Sequence, residues 1–253
     1  MPIGDFSFYL AAIPAVILLG LAKGGFAGVG VLSMPLMTLV MSPIHAAAII
    51  LPVLIVQDAI SIWFYRHAFD RANLTIMLPG ACAGIGLGYL FAATVPDAAV
   101  ELAVGLIAMG FAVRRLAQTR AAVVRPVRGH AALGVFWGAV SGFVSMIANA
   151  GAPPFQVYVV PQQLPRDVFV GTGVLFFAVV NWIKIGPFFA LHLFTRQNLE
   201  TSAVLMPVAV LATWLGVWLV RRVSTERFYV IIYVVMIAVG SKLIWDGLHG
   251  LVF

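Results

Sequence analysis

Charged residues are scarce in this chain of 253 residues: only 9% are Asp, Glu, Lys or Arg, whereas 62% are hydrophobic. Soluble domains carry about a quarter charged residues, so water cannot be the solvent for most of this surface. Apolar runs of roughly twenty residues recur between short charged connectors, as expected where each run crosses about 30 Å of hydrocarbon. The composition leaves no segment for a soluble domain and predicts an all-α, polytopic integral membrane protein.

Cysteine is also nearly absent, since Cys82 is the single one. One cysteine cannot form an intramolecular disulfide, and it leaves no cluster for zinc or iron–sulfur ligation. The histidines are scattered without an H-E-x-x-H pattern, and the sequence has no G-x-x-x-x-G-K-[ST] loop for nucleotide binding. We therefore expect no metal, no cofactor and no enzyme activity, and a gradient or a partner must supply any energy.

The net charge of +6 does not indicate a nucleic-acid partner, because the basic residues lie in short loops between apolar runs. There they act as orientation signals. The N-terminus has no Lys or Arg ahead of its apolar stretch and no small-residue cleavage site after it, so we expect the first run to stay in the protein. Lys242, near the outer end of the last run, is expected to reach the interface and to pair with Asp246.

Hydropathy and helix breakers predict five helical segments in each half of the chain. They cover residues 8–22, 26–41, 46–65, 74–93 and 98–115, then 131–148, 153–160, 168–194, 199–220 and 228–247. We assign residues 1–117 to a first transmembrane repeat, 118–129 to a cytoplasmic linker and 130–253 to a second repeat. The motif Phe-x-Arg-x-Asn-Leu occurs at 69–74 and again at 194–199. This similarity indicates a duplication of the kind common in transporters.

The arginines indicate how the two repeats are oriented in an inner (plasma) membrane. With the loop that contains Arg120 in the cytoplasm, alternation along the chain puts Arg71 inside and Arg196 outside. These two arginines hold the same position of the repeated motif, so we predict inverted repeats with both termini in the periplasm. A parallel arrangement would leave Arg221 and Arg222 outside, against the usual distribution of basic residues.

Each half begins with two short apolar pieces joined by glycine, asparagine or proline, which predicts broken or re-entrant helices near the start of each half. In hydrocarbon, such breaks are tolerated only where they face protein or a water-filled cavity, and their free N–H groups can then bind an anion. Alternatively, the glycines only allow helices to pack closely. The residues predicted to line the site are Lys23, Gly24, Gly25, Gly28 and Gly30 with Asn149, Gly151 and Pro153.

Charges within apolar spans are a further signal, because an ionised side chain at the bilayer centre costs at least about 2.5–3.5 kcal/mol. We predict that Lys184 binds substrate and that Asp58 carries a coupling proton. Alternatively, these two form a structural ion pair, and Lys23 extends to the cytoplasm. Gln57 and Asn181 occupy roughly equivalent positions in the two halves, which favours a midplane site with Asn181 on the substrate and Gln57 assisting the coupling.

Several stretches together resemble a known family: LAKGGFAGVGVLSMPLM, SPIHAAAIILPVLIVQD, RANLTIMLPGACAGIGLG, SMIANAGAPPFQVYVVPQQLPRDVFVGT, NWIKIGPFFAL and RQNLETSAVLMPVAVLATWLGVWLVRRV. In them the chain resembles the sulfite exporter TauE/SafE family of membrane permeases. The resemblance implies a secondary transporter of small anions, with sulfite, sulfoacetate and related sulfonates as substrates. Expected partners are the anion, the lipid bilayer and a coupling proton. The sequence leaves open whether the chain forms a homo-oligomer. An anion channel is the main alternative, and an integral membrane enzyme is a weaker one.

Overall fold

The computed structural model describes residues 6–26, 28–41, 43–91, 94–119 and 129–252, so most of the predicted linker, with Arg120, lies outside it. Regular secondary structure within these ranges is helical. The helices are α1 Phe6–Gly24, α2 Ser33–Thr38, α3 Pro43–Tyr65, α4 Arg71–Phe91, α5 Asp97–Thr119, α6 Ala131–Ala148, α7 Ala152–Val159, α8 Arg166–Ala190, α9 Arg196–Arg221 and α10 Thr225–Val252. The 3-10 turn Val29–Leu32 precedes α2, and the turn Val160–Gln162 follows α7.

Seven of the described helices are long and apolar enough to cross a bilayer: α1, α3, α4, α6, α8, α9 and α10. Their outer faces carry exposed large apolar side chains such as Leu90, Phe189 and Leu211, which suit contact with lipid rather than water. The longest apolar stretch of α5, Ala98–Val113, is shorter. The prediction of an all-α, polytopic membrane protein is confirmed.

The order of helices is the same in the two halves: a long helix, a short broken helical piece, then three long helices. The packing repeats as well, with partners exchanged between the halves. α1 packs against α9 and α6 against α4, while α3 contacts α8 and α9, and α8 contacts α3 and α4. The last helices of the halves, α5 and α10, pack against each other. The contact of α1 with α9 thus corresponds to that of α6 with α4, and the contact of α3 with α9 corresponds to that of α8 with α4.

Small residues bring α1 and α9 into close contact and show that these helices run in the same direction. Gly20 lies against Ala212, and one turn further Gly24 lies against Gly216. A Cβ at Gly24 would meet backbone atoms of Gly216 and Val217. The two backbones therefore touch, as small residues at membrane helix interfaces allow.

The direction of the other close pairs follows from the same kind of contact. Along α4 and α6 the residue numbers rise together, so these helices are parallel. Along α5 and α10 they rise on one helix as they fall on the other, so this pair is antiparallel. The contacts are Met77 with Gly138 and Ala81 with Gly142 in the first pair, and Ala98 with Gly247 and Gly105 with Gly240 in the second.

α1 and α3 also run in the same direction, although they follow one another in the chain. Gln57 donates to the carbonyl of Val16 at 3.3 Å, and Tyr65 donates to the carbonyl of Gly24 at 2.9 Å. The chain must therefore turn back between them, and the piece that contains α2 makes this return. The second predicted segment is not one continuous helix, because Gly28 has a φ of 104° that interrupts it.

Arginines collect at one end of the bundle, where α3 and α9 end and where α4, α8 and α10 begin. Arg221 donates to the carbonyl of Phe64, and Arg166 donates to the carbonyl of Val223, so these segments are bonded to one another. We call this the arginine end, and the arginines that lie there in loops or at helix ends are Arg66, Arg71, Arg166, Arg221, Arg222 and Arg227. Arg196 lies at the opposite end of the bundle. We call this the terminal end, because α1 begins there and α10 ends there.

Candidate functional site

A cavity of about 110 Å³ lies between the two broken segments, and we call it the central cavity. One water needs roughly 10–15 Å³ of such space, so the cavity has room for a small molecule of several heavy atoms. Its polar lining consists of Lys23, Ser33, Ser145, Asn149 and Asn181, with Gly25, Gly28, Gly30 and Gly151. The rest of the lining is apolar and includes Phe155, Phe169 and Phe177.

Most residues that the sequence predicts for substrate binding meet at this cavity. The lining includes Lys23, Gly25, Gly28, Gly30, Asn149, Gly151 and Asn181. Gly24 is not part of the lining and instead packs against α9, and Pro153 is buried within α7. Lys184 does not line the cavity either, but it is hydrogen-bonded to two residues that do. That any of them binds substrate stays a prediction.

Backbone conformation explains why both long helices stop at the cavity. Gly25 and Gly28 have φ values of 138° and 104°, which residues other than glycine rarely adopt. Asn149 ends α6 with a φ of 51°, in the left-handed region that asparagine tolerates better than most residues. Pro153 and Pro154 follow at the start of α7 and have no N–H, so the N-terminus of this helix offers few donors to an anion. The lysines are therefore the main positive groups at this site.

Lys23, in the last turn of α1, donates to one carboxylate oxygen of Asp58 in α3. The other oxygen of Asp58 accepts a hydrogen bond from Asn181 of α8 at 2.7 Å. The side chain of Lys23 is 12% exposed and lines the cavity, whereas that of Asp58 is 1% exposed. The cation therefore lies on the cavity wall and the carboxylate behind it. An extension of Lys23 to the cytoplasm and a pairing of Asp58 with Lys184 are both wrong.

Lys184 of α8 is a buried cation that has neutral partners. Its residue is 1% exposed, and its ammonium donates to the carbonyl of Ser145 at 2.8 Å and to the side-chain oxygen of Asn149. Ser145 lies in the last turn of α6 and Asn149 caps the C-terminus of that helix, and both residues line the central cavity. Among the described residues, no carboxylate forms an ion pair with Lys184. When protonated, Lys184 therefore carries a positive charge, one layer behind the cavity wall, that no carboxylate of the described residues compensates.

Two residues of the site were not predicted, although helical spacing could have indicated both. Ser145 lies one turn before Asn149 on α6, and its carbonyl accepts from Lys184. The ring of Phe177 has its centroid 5.8 Å from the ammonium of Lys23, close enough for a cation–π contact. Phe177 lies one turn before Asn181, so these residues share a face of α8.

Gln57 does not line the central cavity. Its amide nitrogen holds α3 to the backbone of α1 at Val16. Within the described part of the chain its amide oxygen is buried without a hydrogen-bond partner. These contacts place Gln57 beside Asp58 in the interface of α1 and α3, and its assistance to coupling stays a prediction.

A wider cavity of about 680 Å³ lies toward the terminal end. It is lined by α2, by the starts of α3 and α5 and by the ends of α6, α8 and α10, and its charged residues are Glu101, Lys242 and Asp246. Lys242 donates to Asp246, which confirms the pairing expected from their spacing. Ile147 and Met34, in its wall, are close in the chain to Ser145 and Ser33 of the central cavity, so the two cavities share α6 and the α2 region as walls.

Comparison with known proteins gives one match over nearly the whole chain. The family model described as Sulfite exporter TauE/SafE matches residues 12–243. This range includes the entire lining of the central cavity together with Asp58 and Lys184. No curated protein and no solved structure matches the chain.

Proposed function

The chain belongs to the sulfite exporter TauE/SafE family, and from this premise we propose that it is a secondary transporter that carries sulfite or organosulfonates across the inner membrane through the central cavity. One observation carries the proposal. Lys184 is a buried cation without a carboxylate partner among the described residues, and both of its acceptors line a cavity that also has Lys23 in its wall. A small anion in that cavity provides the missing negative charge.

The energetic argument concerns the cost of burying an uncompensated ammonium. Removing a charge from water costs several kcal/mol per ion even after relaxation, and neutral acceptors recover only part of this cost. Hydrogen bonds to charged groups contribute about 1.5–3 kcal/mol each. An anion bound in the cavity beside Asn149 lies close to Lys184 and lowers the electrostatic energy of the protein, whereas a cation in the same place raises it. The site therefore favours anions over cations and neutral solutes.

We further propose that the halves are inverted repeats that exchange access to the cavity by rocking against each other. Three features support this proposal: the exchange of packing partners between the halves, the parallel pairs α1 with α9 and α4 with α6, and the antiparallel pair α5 with α10. A two-fold axis in the membrane plane makes equivalent helices antiparallel, whereas an axis along the membrane normal makes them parallel. The antiparallel contact of α5 with α10 fits the first case.

The proposed orientation places the arginine end in the cytoplasm and both termini in the periplasm, as the distribution of basic residues favours. The wide cavity then opens toward the periplasmic side. At the arginine end, aromatic rings pack beside the central cavity: Phe155 with Phe169 at 6.2 Å between centroids, and Phe169 with Phe228 at 5.6 Å. These contacts support an outward-facing state in which aromatic side chains close the route to the cytoplasm.

Purified protein tests this function through a panel of anions. Sulfite, sulfate, thiosulfate, organosulfonates and dicarboxylates are added separately, and the melting temperature of the protein is measured in detergent. A ligand at 100 times its dissociation constant stabilises the folded state by about 2.7 kcal/mol, which is readily detected. Stabilisation by sulfur-containing anions, and saturable flux of the same anions in liposomes, is the expected result. Flux that rises linearly with concentration would instead indicate a channel.

A further inference from the structure

With Lys23, Asp58 and Lys184 all ionised, the charges around the central cavity sum to one positive unit. Lys23 and Asp58 cancel because they form an ion pair, and Lys184 contributes the remaining charge. α2, α6 and α7 contain no Asp, Glu, Lys or Arg, and Lys23 is the only such residue in α1. A monoanion therefore neutralises the site, and a dianion leaves it with an excess negative charge.

The helices packed against Asp58 bring few other charged groups close to it. From α1 the group that faces Asp58 is Lys23, and from α8 it is Asn181, with Lys184 further along the same helix. On α3 itself the other titratable residues are His45 and Tyr65, at its two ends. α9 carries its charges at its ends, and these are Arg196, Glu200 and Arg221. In the described structure Asp58 is thus the one carboxylate whose protonation alters the charge of this site.

We propose, resting on the proposed anion transport, that the central site binds one net negative charge: either a monoanion alone, or a dianion together with one proton that Asp58 accepts. The second cation that a dianion needs is Lys23, which lines the cavity but donates to Asp58. A proton on the Asp58 oxygen that faces Lys23 removes this competition, and the ammonium then turns to the anion. The hydrogen bond from Asn181 to the other oxygen keeps the protonated carboxyl in place.

The position of Asp58 behind the cavity wall supports this division of roles. Its side chain is almost fully enclosed, so the anion contacts Lys23 and not the carboxylate. Without the proton, the second charge of a dianion would be buried without a counter-charge, which is unfavourable in a region shielded from water. With the proton, both lysines face two negative charges and the complex is neutral. The substrate class is thus defined by net charge, and dianions enter the site coupled to one proton.

Isothermal titration calorimetry in buffers of different ionisation enthalpy counts the protons taken up on binding. The probes are sulfate, a dianion at neutral pH, and methanesulfonate, a monoanion of similar size. We expect uptake of about one proton with sulfate and none with methanesulfonate, and an affinity for sulfate that rises about tenfold for each unit by which the pH falls. The affinity for methanesulfonate should not change with pH.

Two variants sharpen the test. Asp58→Asn gives the site a fixed charge of two positive units, so this variant should bind sulfate without proton uptake and prefer it to methanesulfonate. Asp246→Asn is the matched control, because it removes the other lysine-paired carboxylate of a membrane helix but leaves the central cavity unchanged. It should keep the proton count of the parent. The melting temperature of each variant in detergent shows whether it has folded. If Asp58→Asn does not fold, the titrations of the parent with sulfate and methanesulfonate decide the question.

The outcomes separate this inference from the proposed function. If neither probe nor sulfite binds the parent, anion transport itself is overturned. If sulfate and methanesulfonate bind with the same proton uptake, or if sulfate binds without any, the charge rule is overturned while anion transport stands. Binding of methanesulfonate alone, at both acid and neutral pH, also overturns the rule for dianions.

Discussion

Lys184 donates to the side chain of Asn149, 35 residues earlier in the chain, and the same 35 residues separate Lys23 from Asp58. Lys23 and Asn149 lie at the ends of α1 and α6, the helices that open the two halves. Their partners, Asp58 and Lys184, lie in α3 and α8, the long helices after each break. The halves therefore use one arrangement with different chemistry. The first half has an ion pair, and the second half has a lysine with a neutral amide, so the cavity lies between one compensated and one uncompensated cation.

Replacing the uncompensated cation should weaken anion binding. Lys184→Gln removes one charge-assisted interaction worth about 1.5–3 kcal/mol, so affinity should fall by roughly ten- to a hundredfold. The glutamine amide can still donate to the carbonyl of Ser145, so the fold should be retained. Equilibrium binding of the best anion from the panel measures the effect. Lys242→Gln is the control and should bind as the parent does; equal binding by Lys184→Gln would show that this lysine is not the counter-charge of the anion.

The ion pair of Lys23 with Asp58 should behave as a coupled unit in stability measurements. Lys23→Gln leaves the enclosed Asp58 without a cation, and breaking a buried pair in this way costs about 3–5 kcal/mol. The double variant Lys23→Gln with Asp58→Asn should be more stable than Lys23→Gln alone. Unfolding of the parent, of Lys23→Gln, of Asp58→Asn and of the double variant in detergent provides the double-mutant cycle.

The partly exposed pair of Lys242 with Asp246 is the comparison for that cycle. Solvent screens such pairs, so their coupling energy should be at most about 1 kcal/mol. A coupling for Lys23 with Asp58 no larger than this would mean that the central pair is solvated rather than buried.

The close packing of α4 on α6 can be tested with two glycines of one helix. A Cβ at Gly84 would meet the backbone of Ala139 and Phe143, whereas at Gly86 nothing lies within 4 Å. Gly84→Ala should therefore destabilise the protein by about 1–3 kcal/mol through overpacking. Gly86→Ala should be neutral, or should stabilise by up to about 1 kcal/mol through helix propensity. Melting temperatures in detergent check both, and equal effects would contradict the contact.

The inverted arrangement predicts opposite sides for two equivalent arginines. Arg71 and Arg196 hold the same position of the repeated motif and begin α4 and α9. In a Cys82→Ala background, Arg71→Cys should react with a membrane-impermeant maleimide only after the cells are opened, whereas Arg196→Cys should react in spheroplasts. Reporter fusions at both termini should report the periplasm. Labelling of both cysteines from one side would require parallel repeats or a different topology.

The positions of the helices could be predicted from the sequence because each long apolar run has few alternatives to a membrane helix. The partners of the charges could not. Hydropathy gives the depth of Lys184 in the bilayer but not the direction in which its side chain points, so the contact with Asn149 needed the packing of α8 on α6. Gly24 and Gly25 show the same limit: both lie against α9, but only Gly25, which also lies beside Val170 of α8, lines the cavity.

The unequal lysine contacts of the two halves have a consequence for the resting state of the protein. In an inverted-repeat carrier, the inward-facing form arises when the two halves exchange their conformations. Chemically identical halves would make the two forms degenerate in energy. If the halves exchange conformations as proposed, the ion pair of Lys23 with Asp58 and the pair of Lys184 with Asn149 swap surroundings, so the two forms differ in energy. The empty protein would then rest preferentially with its cavity open to one side of the membrane, and each cycle would begin with substrate taken from that side.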